Sequence, residues 1–96
     1  MNFTDVVIGN TVYAVNRPPN NQEDLIEGTV LEKKESLGSQ IITIGDSNQG
    51  MGYIRTYSIL VADVYALKSD AIDALEYIYD ADAATKAAYI VSLRSA

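Results

Sequence analysis

The chain has no histidine and no cysteine. Those two absences remove imidazole bases, histidine pH switches, thiol nucleophiles, disulfides and the usual zinc sites. Basic residues are scarce: 7 Lys+Arg stand against 13 Asp+Glu, a formal net charge of −6. Binding to nucleic-acid phosphates needs the opposite surplus, so no direct DNA or RNA contact is expected. Long apolar runs are also missing. Val6-Val7-Ile8 and Ile59-Leu60-Val61-Ala62 fall far short of the ~20 residues that a membrane span needs. No basic start or apolar leader follows Met1, so the expectation is a soluble cytoplasmic protein that does not meet a membrane. Without a secretory signal, the glycosylation pattern Asn2-Phe3-Thr4 is a chance match.

What is present points to one globular domain. At 96 residues, 48% hydrophobic and 21% charged, the chain can bury a core and is too short for two. Its two parts differ in character. Residues 1–66 hold all six glycines and both prolines, with many Val, Ile, Thr and Tyr, which are turn and strand formers. Residues 67–96 are rich in alanine and lack Gly and Pro, which favours helix.

Period-two alternation predicts strands over residues 10–15, 25–35, 40–44 and 52–58, with a short last strand within 59–65. Residues 17–24, with Pro18-Pro19, read as a polar loop, because paired prolines cannot sit in a central strand. Turns are expected at Leu37-Gly38-Ser39 and over residues 45–50, and Gly28 inside its strand suggests a bend or bulge. Five short strands must manage their edges, and a small closed or nearly closed barrel does so most economically. The predicted fold is α+β: an SH3-like antiparallel β-barrel of about five strands, then a C-terminal helix or helical hairpin. The barrel occupies 1–66 and the helical segment packed on it 67–96, as one domain.

In the helical part Ser69 is a candidate N-cap, with Asp70 and Asp73 favourably placed at the positive helix end. Ile72, Leu75 and Tyr79 share one face, with Ala71 and Ile78 beside them. Beyond Asp82 the apolar set Ala83, Ala87, Ile90 and Val91 lies roughly 120° from that stripe on one helical wheel. A break at Asp80-Ala81-Asp82, where an aspartate can cap a new helix, is the preferred resolution over one straight helix with two buried faces.

Several patterns suggest chemistry and fall short of it. Residues 45–52 are glycine-rich, but they lack the Gly-Lys-Ser/Thr ending of a phosphate loop and lead into a strand. Asp46 and Asn48 match the first two ligands of a calcium loop, yet Tyr57 stands where a bidentate glutamate is needed. Paired carboxylates need a cleft for acid–base work, and side chains fill a barrel of this size. No enzyme activity, metal or cofactor is expected.

Surface recognition is better supported. Tyr53, Arg55 and Tyr57 alternate along one strand, and Tyr and Arg are enriched in binding hot spots. Asp73, Glu76 and Asp80, with Asp70, form an acidic stripe suited to a basic partner surface. The competing reading makes the tyrosines barrel lining and the stripe a solvated helix face. The apolar set Ala83, Ala87, Ile90 and Val91 is the candidate oligomer interface.

Three segments carry a resemblance: Ile8-Gly9-Asn10-Thr11-Val12-Tyr13-Ala14-Val15, then Ile26-Glu27-Gly28-Thr29-Val30, then Val64-Tyr65-Ala66-Leu67-Lys68-Ser69-Asp70-Ala71. They are similar to a pattern in small phage-encoded barrel proteins, with a G-x-x-V-Y strand, an I-x-G-x-V strand and a V-Y/F-x-x-K-x-x-A strand-to-helix joint. The resemblance implies the barrel fold and a phage source, and it carries no site residues. The expected function is therefore a non-enzymatic binding module: a phage accessory protein that docks on and inhibits a host defence or nucleic-acid-processing protein. The alternatives are a homo-oligomeric structural or virion component, or a protein that sequesters a small ligand such as a nucleotide at intersubunit sites.

Overall fold

The computed structural model describes residues 2–15, 25–46, 55–79 and 81–95. Among these, the chain forms an α+β fold of one five-stranded antiparallel sheet and two helices. The strands are β1 (Thr11–Val15), β2 (Leu25–Ser36), β3 (Ser39–Asp46), β4 (Arg55–Leu60) and β5 (Val64–Tyr65). They lie in the order β4-β3-β2-β1-β5. The helices are α1 (Lys68–Ile78) and α2 (Ala83–Ser95), and single 3₁₀ turns occupy Phe3–Asp5 and Val61–Asp63.

Alternation along the strands sorts the apolar side chains onto two faces. Val12 and Ala14 of β1, Ile26 and Val30 of β2, Ile42 and Ile44 of β3, Ile59 and Val64 all enter one inner cluster together with Val6. Fully burying a side chain of this size contributes about 1.5–3 kcal/mol each, so this cluster is the main source of cohesion. The opposite face carries Tyr13, Val15, Leu25 and Tyr65, and α1 packs there through Ala71 and Leu75. β1 therefore serves both clusters, one with each set of alternate residues.

β2 changes its facing in mid-course. The β2–β3 register shifts between Val30 and Glu32, leaving Leu31 as the extra residue of a bulge. Past the bulge, Lys33 stands opposite Ile42 on the inner side, and its Nζ lies 4.8 Å from the centre of the Phe3 ring. The lysine stem covers the end of the core while the ammonium rests on an aromatic face. The bulge expected at Gly28 is thus three residues later. Gly28 itself is demanded by close approach, since a Cβ there would lie 2.6 Å from Ile44 Cγ2 and against the Gly45 carbonyl oxygen.

The sheet is not closed. No ladder joins β4 to β5 among the described residues, where a barrel was expected to close. The 3₁₀ turn of Val61–Asp63 takes up the backbone between them, and β5 is left with two residues, both paired to β1. Strand boundaries also move: Gly45 and Asp46 extend β3 instead of starting a turn, and Ile59-Leu60 completes β4. The proline loop at 17–24 lies outside the described residues, as does most of the 45–52 glycine segment.

Leu37 and Gly38 make the two-residue turn that joins β2 to β3, with φ of 51° and 81°. Two positive φ values define the type I′ turn that suits hairpin twist. Glycine adopts this conformation freely, whereas a leucine there costs about 1 kcal/mol.

The helical segment breaks where two stripes conflict. α1 buries Ala71, Ile72 and Leu75, with Ile78 and Tyr79 half-buried behind them. The α1 start differs from expectation. Ser69 lies inside the helix, and Leu67 holds the cap position, its carbonyl accepting from the Ala71 N–H at 3.2 Å. β5 ends only two residues before α1, so the first turn forms two residues earlier than the Ser69 cap would allow. Asp82 caps the second helix, accepting from the Thr85 N–H at 3.2 Å.

Hydrogen bonds from the Thr85 hydroxyl and then the Thr85 N–H hold the Asp82 carboxyl below the ordinary aspartate value. A lowered folded-state pKa contributes stability that is present above the unfolded value and lost as pH falls through the folded one. The first turn of α2 is therefore expected to fray in acid. Asp82→Ala should show the same fraying at neutral pH, as faster amide exchange at Thr85 and Lys86. Unchanged exchange at both amides would rule out the cap as the start signal.

Candidate functional site

The inward face of α1 determines its outward one. With Ala71, Ile72 and Leu75 against the sheet, helical periodicity turns Asp70, Asp73, Glu76 and Tyr77 to solvent, and all four are exposed. Tyr77 is 89% exposed. Large aromatic rings are seldom left so open on an otherwise acidic face, and Tyr is among the residues that concentrate binding energy. Tyr77 is not among the candidate binding residues that the sequence pattern singled out. Its position four residues after Asp73 and one after Glu76 was the available signal.

The acidic stripe is partly engaged. Arg94, near the end of α2, donates to Asp73 Oδ1 at 2.5 Å, and both side chains are largely exposed. Such a surface ion pair contributes little to stability, about 0–1 kcal/mol. Glu76 makes the cleaner test of the stripe, because reversing Asp73 also breaks this contact. Asp80 lies outside the described residues.

Of the strand trio, the described residues show Tyr57 and the backbone of Arg55. Tyr53 lies outside the described residues, and Arg55 opens β4 opposite Asp46. Tyr57 stands opposite Ile44 and packs half-buried against the inner cluster.

The candidate oligomer set on α2 is divided. Ile90 is 3% exposed, so it is committed within the chain, while Ala83, Ala87 and Val91 face outward. With α1 ending at Ile78 and α2 starting at Ala83, α2 is freed from the α1 wheel and turns Tyr89, Ile90 and Leu93 inward. The Tyr79 and Tyr89 rings meet at 4.7 Å between centroids, tilted by 34°, across the break. Ile90→Asp would therefore disrupt this packing before it informed on any subunit contact.

A cavity of about 290 Å³ opens beside the start of α1, lined by Lys68, Ser69, Ile72 and Arg94. Its arginine is the one turned toward Asp73. On β1, burial and then the neighbouring Glu27 charge raise the Tyr13 phenol above its ordinary value. Among the described residues no three acidic side chains come together in a way that could hold a metal ion. No described helix is long and apolar enough to cross a membrane. No family model, no curated protein and no solved structure matches the chain.

Proposed function

We propose that the chain is a non-enzymatic protein-binding module, a phage-encoded accessory protein that docks on and inhibits a host protein through the outer face of α1. The observation that carries this reading is Tyr77, 89% exposed and set among the exposed carboxylates Asp70, Asp73 and Glu76. An aromatic anchor on an acidic helix face suits a partner that offers an apolar notch in a basic surface. A host nucleic-acid-processing protein has such a basic surface, and the acidic stripe would compete there with phosphate. The bent sheet, with its last short strand beside the first and a 3₁₀ turn before it, supports classing the barrel-like part as SH3-like.

The test places a photo-crosslinking residue at position 77, and in a second protein at Ala88 on the exposed side of α2, in host lysate. A partner captured from 77 and absent from 88 is expected. Glu76→Lys in the position-77 protein should reduce the yield about tenfold, with a weaker salt dependence of binding. The same proteins captured equally from both positions, or a yield indifferent to Glu76→Lys, would overturn the reading.

A further inference from the structure

Among the described residues, the far half of β2 is an unpaired edge. The β1–β2 ladder ends at Thr11 opposite Thr29, extended only by bonds joining Gly9 and Asn10 to Val30. Beyond the Leu31 bulge, β2 is paired with β3 alone among the described residues. Ser36 and Ser39 close the two-residue turn, so their amides and carbonyls face each other, and by alternation those of Lys34 and Glu32 also face β3. Lys33 and Glu35 therefore direct their backbone groups away from β3.

We propose that this edge pairs with the same edge of a second copy, giving a two-fold symmetric dimer independent of the α1 face. The residues select one register. With Lys33 opposite Glu35 of the second copy, symmetry places Glu35 opposite the other Lys33. The two pairs then form four backbone hydrogen bonds and two opposite-charge contacts.

The same register brings Leu37 of each copy level with Leu31 of the other. Leu31 is exposed, and the turn over residues 7–10, bonded to Val30 at 2.8 Å, sets exposed Val7 and Ile8 beside it. Leu37 is fully exposed at a positive φ, a site where asparagine or glycine would be both less strained and more soluble. A residue unfavourable on both counts in the monomer gains its use when it covers the apolar patch of a second copy.

Lysine on an edge strand ordinarily deters pairing. Here Lys33 is folded over Phe3 and matched by Glu35, so only Lys34, which meets its own copy on the two-fold axis, remains repulsive.

Sedimentation analysis over a wide concentration range tests the proposal on the full chain. Wild type should move from monomer to twice that mass as concentration rises. Leu37→Asn should abolish the dimer while raising the melting temperature of the monomer by about 5 °C, opposite movements that misfolding cannot imitate. Lys33→Glu and Glu35→Lys should each weaken association about tenfold, and the double variant should restore it. Lys34→Thr should tighten it. A wild type that stays monomeric to millimolar concentration overturns the proposal. So does a dimer that survives Leu37→Asn, or one lost instead on Ala87→Glu in α2.

Discussion

Gly28→Val leaves this chain without a stable fold, and Gly28→Ala lowers its stability by about 3 kcal/mol. β2 is held at Gly28 between β1, where Val12 is its register partner, and β3, which pairs Thr29 with Gly45. Any Cβ at position 28 points into the inner cluster. It meets Ile44 Cγ2 at 2.6 Å and the Gly45 carbonyl oxygen closer still. The isoleucine can rotate only into a filled core, and the carbonyl belongs to backbone fixed by the β2–β3 ladder. Strand separation is therefore the available relief. For a domain of this size, 3 kcal/mol lowers the melting temperature by about 15 °C, and total stability is about 5–15 kcal/mol, so valine exceeds what remains. Thermal melts followed by circular dichroism give the result. Gly38→Asn is the control, since Gly38 sits in open space and asparagine tolerates its φ. A Gly28→Ala protein within 0.5 kcal/mol of wild type would mean that β3 stands farther from β2 than the present packing requires.

The glycine shows what the sequence made legible. Gly28 stood out as a strand interruption, but period-two alternation does not distinguish a bulge from a close approach. That difference lies in what crosses the strand, here Ile44 and Gly45 from β3. The strands themselves were legible because each buries one alternate set: Val12 and Ala14, Ile26 and Val30, Ile42 and Ile44. Barrel closure was not legible. It depends on whether β4 meets β5, and the backbone from Val61 to Asp63 coils into a 3₁₀ turn there. The helix break was readable because the two apolar stripes disagreed by more than a straight helix can absorb, and Asp82 had a residue to cap in Thr85. The facing of α2 was not. Once separated from α1, a helix with alanine on most sides can rotate freely, and the rings of Tyr79 and Tyr89 decide the angle. For the candidate site, the acidic stripe was visible as a spacing, whereas the exposure of Tyr77 followed only from which side of α1 the sheet accepted.

Leu75→Ala is expected to cost about 3 kcal/mol and to lower the single melting transition by about 15 °C without splitting it. Leu75 is fully buried in the outer cluster with Val15 and Ala71, flanked by Tyr13, Leu25 and Tyr65. Truncation leaves a cavity between α1 and the sheet, and the ring-lined surroundings collapse into it only in part. The transition stays single because β1 belongs to both clusters. Val15 faces the helix, Ala14 faces the inner core, and neither side can open without unpairing the strand that the other requires. Helical ellipticity and tyrosine fluorescence should therefore melt together in both proteins. An earlier helical transition in Leu75→Ala would show instead that the α1–α2 layer comes away as a separate unit. The outcome bears on recognition as well, because Asp70, Asp73, Glu76 and Tyr77 are displayed by the same three turns that Leu75 anchors. If the helix and sheet melt as one, the outer face of α1 is as rigid as the core beneath it. Partner binding by Leu75→Ala should then persist below its own melting temperature and fail at it, whereas Glu76→Lys weakens binding with no change in melting.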